Sequence, residues 1–309
     1  MRTPIDCLVI TPVGPKSTPA YVADTVESFL YFMGSSRSLM LLLDDSHGKE
    51  LRRAIRPHAK LRIVDSASLL DSNVRHHNTR GLLFVKQMLA LERLSSDFTW
   101  SCLLRLDDDA LLLGPAPHLD ALEKFEGNPS IGMLGAYERR GDGSDKRQAL
   151  AKQGRRLMRQ IVSRTGLMNP AMSLYLMRLI VMSKWHGYRL GDMCTGGAFF
   201  MSGVASREIQ RLWRRDRNGL VNSTLADDLL FALHVAAAGY SIEDFSDRDH
   251  IMAINWRGLP MPLEELVGRR KKIVHPVKDP DDPDHEASVR SFFRTLREQR
   301  GRVVNPAIS

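Results

Sequence analysis

Short runs of β-branched and leucine residues alternate with helical patterns through the N-terminal third of the chain. Cys7 to Thr11, Leu39 to Leu43, Leu61 to Val64 and Cys102 to Leu106 are apolar runs of strand length, bounded by turn-forming residues. Between them Ala20 to Met33, Lys49 to Ile55 and Thr79 to Leu94 repeat apolar residues at the three- and four-residue spacing of a helix with one buried face. Strand and helix alternating in this way predict βαβ units, and hence an α/β fold with a single mixed, mostly parallel sheet flanked by helices. Ligands of such sheets sit beyond the carboxyl ends of the strands, which fixes where chemistry should be sought.

Those strand ends carry polar residues. The first is Thr11-Pro12-Val13-Gly14, the second Asp44-Asp45-Ser46 and the fourth Asp107-Asp108-Asp109. Further on come Thr195-Gly196-Gly197-Ala198-Phe199-Phe200-Met201-Ser202, then Asp227-Asp228 opening an apolar helix from Leu229 to Ala238, a strand from Tyr240 to Phe245, and Val274-His275-Pro276. A polar break at Asp279 to Asp284 precedes a terminal helical pattern from Ser288 to Arg297. No internal repeat is visible. The expected layout is one catalytic-type domain over residues 1–278 with an insert at about 141–191, followed by a polar linker and helical tail over 279–309.

Composition sharpens this picture through charge. The 309 residues are 43% hydrophobic, enough for a well-buried core and unlike a disordered chain. Lys and Arg outnumber Asp and Glu 44 to 36, a net charge of +8, which brings anionic partners into play. The excess is local: from Lys146 to Gly191 there are ten basic residues and no acid, and the rest of the chain holds 34 basic against 36 acidic residues. A near-neutral body with one basic insert has no basic stripe running through its fold, so nucleic acid is set aside as a partner. Cys7, Cys102 and Cys194 are odd in number and lack CxxC spacing, so neither a disulfide framework nor a zinc site is expected, which suits a reducing, cytoplasmic setting. The apolar start Cys7 to Ile10 is too short for a secretion signal, and Ala171 to Met182, interrupted by Ser173 and Arg178, is far short of the roughly 20 residues of a membrane span. A soluble chain is expected, peripheral to a membrane at most.

The strongest local signal is LLRLDDDALLL. Three carboxylates between apolar runs lie at the mouth of a buried strand, where desolvation is costly unless a cation offsets it. Hard divalent cations take carboxylate oxygens and share them with substrate phosphates. Aspartates at a strand end also cap turns, and that simpler reading stays open. A haloacid-dehalogenase phosphohydrolase would need Thr two places after its second Asp, where Leu111 stands.

With these residues in hand the sequence resembles the GT-A glycosyltransferases, and within them the fringe and β-1,3-galactosyltransferase group. The resemblance is carried by Asp107-Asp108-Asp109 as a DxD-type motif, the preceding helix with Asn78, Thr79 and Lys86, the Gly196-Gly197-Ala198 segment, Asp227-Asp228 followed by Gly239, and His275. It covers most of the chain from about Cys7 to Lys278, and the order of short motifs carries the weight. It implies a GT-A type Rossmann-like fold and a metal-dependent, inverting transfer of a sugar from a nucleotide diphosphate sugar, with a UDP-sugar expected, to a glycan or lipid-linked hydroxyl acceptor. It implies Mn²⁺, or Mg²⁺, held by Asp109 and His275, and Asp107 or Asp108 at the ribose or at metal-bound water. It implies Asp228 as the general base, with Gly196 and Gly197 lining the donor and acceptor cleft and Thr11, Pro12, Asp44, Asp45 and Lys86 around the nucleotide. Each position has a plainer reading as a turn residue, helix cap or surface histidine, and Glu243-Asp244 is a competing acidic pair. The open alternatives are a retaining GT-A transferase and a catalytically silent membrane-surface or sugar-binding protein. A sugar-nucleotide pyrophosphorylase is disfavoured because no Gly-rich, basic phosphate loop occupies Thr11 to Ser17.

Within the insert, Leu150, Leu157, Met158, Ile161 and Val162 fall on one helical arc, and Lys152, Arg155, Arg156 and Arg159 on the opposite one. The helix either packs its apolar arc on the domain with a solvated cationic face, or meets an anionic membrane surface or acceptor through residues 146–189, aided by Met168, Met172, Met177, Met182, Trp185 and Tyr188. Part of Gly141 to Arg164 is a candidate for disorder.

Overall fold

The computed structural model describes residues 2–46, 50–70, 80–214, 219–279 and 281–304. The four N-terminal strands form as read, each somewhat longer: β1 (Thr3–Val13), β2 (Ser38–Asp44), β3 (Leu61–Asp65) and β4 (Phe98–Leu106). Between them run α1 (Pro19–Met33), α2 (Glu50–Ala54) and α3 (Arg80–Leu94); Asn78 and Thr79 lie outside the described residues. Two further strands complete the centre, β6 (Ile131–Gly135) and β7 (Ala198–Ser202), with β8 (Ser241–Asp244) at the edge, giving a seven-stranded sheet of order β3-β2-β1-β4-β7-β6-β8. All neighbours are parallel except β7, which is antiparallel to both β4 and β6. The expected single mixed, mostly parallel sheet flanked by helices is therefore the main layer of the fold.

Both faces of this sheet are covered, which explains why its strands read as continuous apolar runs. On β1, Leu8 and Ile10 point into a core shared with α3, α8 (Gly203–Trp213) and α9 (Asp227–Ala237), while Cys7, Val9 and Val13 point into a second core with α1 and α4 (Pro117–Gly127). A small second sheet, absent from the expectation, joins β5 (Leu111–Leu112), β9 (Met252–Ile254) and β10 (Ile273–His275) in the order β5-β10-β9. Its strands are two or three residues long, too short for a periodic signal.

Two pairings bring distant motifs together. Because β7 runs against β4, with Ala198 beside Leu106, the Gly196-Gly197 turn that enters β7 meets the triad that leaves β4. Because β10 runs against β5, with Val274 beside Leu111, His275 arrives next to the same triad.

The terminal segment, expected as a polar linker and helical tail with its helix over Ser288 to Arg297, forms a 22-residue helix, α11 (Pro283–Val304), that starts earlier than read and packs on the domain. Its Val289 and Phe293 join Leu266, α10 (Leu263–Gly268) and β5 in a third core, and its Arg290 is fully buried against Asp24 of α1. The insert is largely helical. Residues 141–164, a candidate for disorder, follow an Arg139–Asp145 bridge into α5 (Arg147–Val162), then α6 (Arg164–Met168) and α7 (Pro170–Trp185).

Candidate active site

Beyond Leu106 the chain turns sharply, and each peptide group of the turn is held. The Asp107 N–H donates to Gly197 O at 2.7 Å, the Ala110 N–H to Asp107 O at 3.2 Å, and the Val277 N–H to Asp109 O at 3.0 Å. Asp108 O accepts from Thr25 Oγ1 at 2.9 Å and from Arg290 Nη2 at 3.1 Å. With the backbone pinned from α1, α11 and both sheets, the three carboxylates point in fixed directions.

Asp107 and Asp109 converge on His275. Its Nε2 lies 3.1 Å from Asp109 Oδ1 and 3.5 Å from Asp107 Oδ2, and the ligand atoms of the three residues all lie within 4.8 Å of one another. Nδ1 sits 3.1 Å from Asn255 O, a partner that fixes the proton there and leaves Nε2 available to a cation. The ring has room only because residue 197 is glycine: a Cβ there would fall 2.1 Å from His275 Nδ1, and φ is +111°. Burial alone would raise the Asp109 carboxyl, but the charges of His275 and of Lys278, 2.5 Å away, outweigh it and hold the group well below the usual carboxylate range. The His275 ring, which burial would push down, is instead pushed up by Asp109. Positive charge is thus what this cluster attracts, and two carboxylates with a braced imidazole suit Mn²⁺ or Mg²⁺. The expected pair Asp109 and His275 stands together, and Asp107, expected at the ribose or at metal-bound water, stands with them.

Beside this cluster opens a cleft of about 560 Å³ between the β1–α1 loop, the end of β2 and α3. Pro12, Asp45, Lys86, Asp107, Asp108 and Asp109 line it, together with Ser17, Ser66 and Lys278. Lys86 Nζ and Ser66 Oγ each reach Asp45 Oδ1 at 2.7 Å. Asp108 bonds Ser17 Oγ, and burial, reinforced by the charge of Asp109, pushes its carboxyl up to about 6. Four expected nucleotide-sugar contacts, Thr11, Asp44, Gly196 and Gly197, do not line the cleft. Thr11 is wholly buried within the sheet, and Asp44 turns back to accept from the Ser46 N–H at 3.0 Å and from Ser46 Oγ at 2.6 Å. The reason is local: Asp44 ends its strand in a turn, whereas Asp45, one residue on, is free of the strand's alternation.

The acidic pair at the start of α9 divides its work. Asp227 Oδ2 accepts from Arg105 Nη2 at 3.0 Å and from Gln87 Nε2 at 2.9 Å. Asp228 Oδ1 accepts from the Leu229 N–H at 2.8 Å and Oδ2 from the Gly196 N–H at 2.9 Å. One member was expected to cap α9 and the other to project into the cleft; the N-cap is instead Ala226, without a side-chain cap bond, both acids stand in the first turn, and neither lines the cleft. Burial, then the neighbouring charge of Asp227, pushes Asp228 up to about 6. The competing pair resolves simply, since Asp244 accepts from the backbone N–H groups of Tyr137, Glu138 and Arg139 and braces that loop.

Arg105 was missed by the sequence reading, although a lone cation inside the run LLRL is a visible anomaly. Buried in β4, it bonds both Asp107 and Asp227, joining the carboxylate cluster to the α9 pair. Ser17, Ser66 and Lys278 were missed because nothing in their local sequence separates them from ordinary loop residues.

The fold and site together define an α/β protein with a carboxylate–imidazole cluster, able to hold a divalent cation, beside a cleft at the carboxyl end of its sheet. The chain matches no protein-family model and no curated protein. Among solved structures it is similar to the galactosyltransferase LgtC in complex with donor and acceptor sugar analogues, at 12% identity over 94% of this chain and 95% of that one, with a TM-score of 0.45. It is also similar to glucosyl-3-phosphoglycerate synthase from Mycobacterium tuberculosis in complex with Mn²⁺, UDP and glucosyl-3-phosphoglycerate (14% identity, 86% and 76% covered, TM-score 0.42). A third is the bifunctional glycosyltransferase WbbM (10% identity, 96% and 52% covered, TM-score 0.49).

Proposed function

We propose that the protein is a metal-dependent glycosyltransferase that moves a sugar from a nucleotide diphosphate sugar to a hydroxyl acceptor. The observation that carries this reading is the convergence of Asp107, Asp109 and His275 on one edge of a cleft whose far wall bears the Asp45–Lys86 pair. A cleft of about 560 Å³ suits a nucleotide-sized ligand. Asp45, with Lys86 and Ser66 fixing its carboxylate, would take the ribose hydroxyls, and Pro12 and Val13 would flank the base. Asp107, Asp109 and His275 would hold Mn²⁺ or Mg²⁺, which supplies neutralisation of the diphosphate charge that grows as the sugar leaves. UDP-sugars are the first donors to try.

Asp228 would accept the proton of the attacking hydroxyl. Its carboxyl, pushed up to about 6, is deprotonated at neutral pH yet basic enough to take a proton. The peptide N–H of Gly196 aims Oδ2, and Gly197 behind it keeps His275 in place. With such a base the transfer inverts the anomeric centre. A retaining transfer is the second reading, favoured by the position of Asp228 outside the lining of the donor cleft with both oxygens held by backbone N–H groups.

The test is a screen of nucleotide sugars for Mn²⁺-dependent hydrolysis and transfer, with the product anomer read by proton NMR. Asp109→Ala should abolish Mn²⁺-dependent donor binding, and Asp228→Asn should keep donor binding and lower transfer by two to four powers of ten, on the order expected for a lost general base. An inverted product supports Asp228 as base. A retained anomer with an active Asp228→Asn protein refutes that role, and no turnover or binding with any nucleotide sugar refutes the glycosyltransferase reading.

A further inference from the structure

The helices of the insert expose apolar side chains. On α7, Met172, Tyr175, Leu176, Leu179 and Ile180 turn inward, and Tyr175 Oη bonds His234 Nε2 of α9 at 2.9 Å. On the opposite side Leu174, Met177, Val181 and Trp185 form one solvent-facing row, with Leu174 70% and Trp185 86% exposed. Leu167 and Met168 of α6 are 75% and 70% exposed. Met158 and Val162, expected on the packed arc of α5, are exposed as well, because Gly154 and Gln160 fill the contact instead and leave these two at its edge. A cluster of large exposed apolar side chains on one helical unit signals an interaction surface.

Charge identifies the partner. Lys146 is buried against Ala136 O, and Arg147 and Arg189 pair with Asp145 and Glu138. Lys152, Arg155, Arg156, Arg159, Arg164, Arg178 and Lys184 are exposed, and among the described residues none of them makes an ion pair. Cations interspersed with Leu, Met, Val and a Trp, with no acid among them, match the surface of an anionic bilayer: basic groups at the phosphates, apolar groups at the acyl boundary, and indole at the interface. A second copy of this face would set like charges against each other. Among the described residues no helix is long and apolar enough to cross a membrane, so contact would be peripheral.

We infer that α5, α6 and α7 form a docking face for an anionic membrane surface. The inner side of α7 packs on α9, the helix that opens with Asp227 and Asp228, so docking would hold the carboxylate end of α9 at a set orientation to the bilayer, suited to a lipid-linked acceptor. The docking itself does not depend on the glycosyltransferase reading.

The experiment is sedimentation of the full chain with vesicles of phosphatidylcholine alone or with about 30% phosphatidylglycerol. The chain should partition to the anionic vesicles, more weakly as salt rises. Arg155→Glu, Arg156→Glu and Arg159→Glu combined should lower partitioning at least roughly tenfold, given the loss and reversal of three surface charges. Leu174→Ser, Val181→Ser and Trp185→Ser combined, all at exposed positions, should lower it comparably while circular dichroism and melting stay unchanged. Equal binding to neutral and anionic vesicles, or binding unaffected by the apolar triple variant, overturns the inference. So does a wild-type dimer that the apolar variant converts to monomer, since the face would then belong to a second copy.

Discussion

Replacing Arg105 by Met isolates what the buried guanidinium does. Its side chain is 4% exposed and meets two carboxylates of unequal environment: Asp107, 26% exposed, and Asp227, 13% exposed. Asp107 can be rehydrated when the cation leaves. Asp227 cannot, and among the described residues keeps only the Gln87 amide. Breaking one side of a buried ion pair costs about 3 to 5 kcal/mol, most of it the stranded charge. The remaining amide partner puts the expected loss near the lower end, about 3 kcal/mol. Adding Asp227→Asn to Arg105→Met should recover at least about half, since the charge left behind is then gone. Equilibrium urea unfolding of the wild type, both single variants and the double variant measures this. A loss under about 1 kcal/mol, or no recovery on adding Asp227→Asn, would refute the claim that Arg105 holds the two carboxylate groups together.

Gly197→Ala should lower Mn²⁺ affinity by about 10- to 100-fold in calorimetric titration, because the new Cβ occupies the His275 ring position in a backbone conformation that L residues rarely adopt. Transfer by the wild type should fall about tenfold per pH unit below pH 6 and level off above it, since Asp228 works as a base only when deprotonated; a rate flat from pH 5 to 8, with chemistry limiting, would remove Asp228 from the proton transfer. Lys86→Met should raise the donor KM about tenfold with kcat little changed, because it removes the cation that orients the Asp45 carboxylate without touching the cluster at the triad.

How much of this was legible follows from the range of each interaction. The four N-terminal strands and three helices were readable because their apolar spacing is a local signal and the runs are long. The triad was readable because three adjacent acids against an apolar run violate the pattern around them. β6 was not, as the five residues IGMLG carry two glycines and no run of β-branched residues, even though the turn Gly127-Asn128-Pro129-Ser130 precedes them. At β2 the sequence offered Asp44 and Asp45 alike, and only the turn made by Asp44 and Ser46 shows that Asp45 is the one lining the cleft.

The terminal helix shows the limit most clearly. Read alone, residues 283–304 give a strongly charged terminal helix and no sign of what it packs against. The charges are unevenly spent: Arg290 is buried with Asp24 and Glu286, Arg297 also bonds Asp24, and Arg294 reaches it from the surface. Asp24 lies in a helix that otherwise buries Val22, Val26, Phe29 and Met33, so its acid is an anomaly that only a distant cation resolves. The same Arg290 donates to Asp108 O, and Thr25, the neighbour of Asp24, donates there too. An ion pair spanning most of the chain therefore sets the backbone of the carboxylate triad, and α11 acts as a brace for the metal cluster. That role depends on a pairing between elements more than 250 positions apart, which neither propensity nor periodicity encodes.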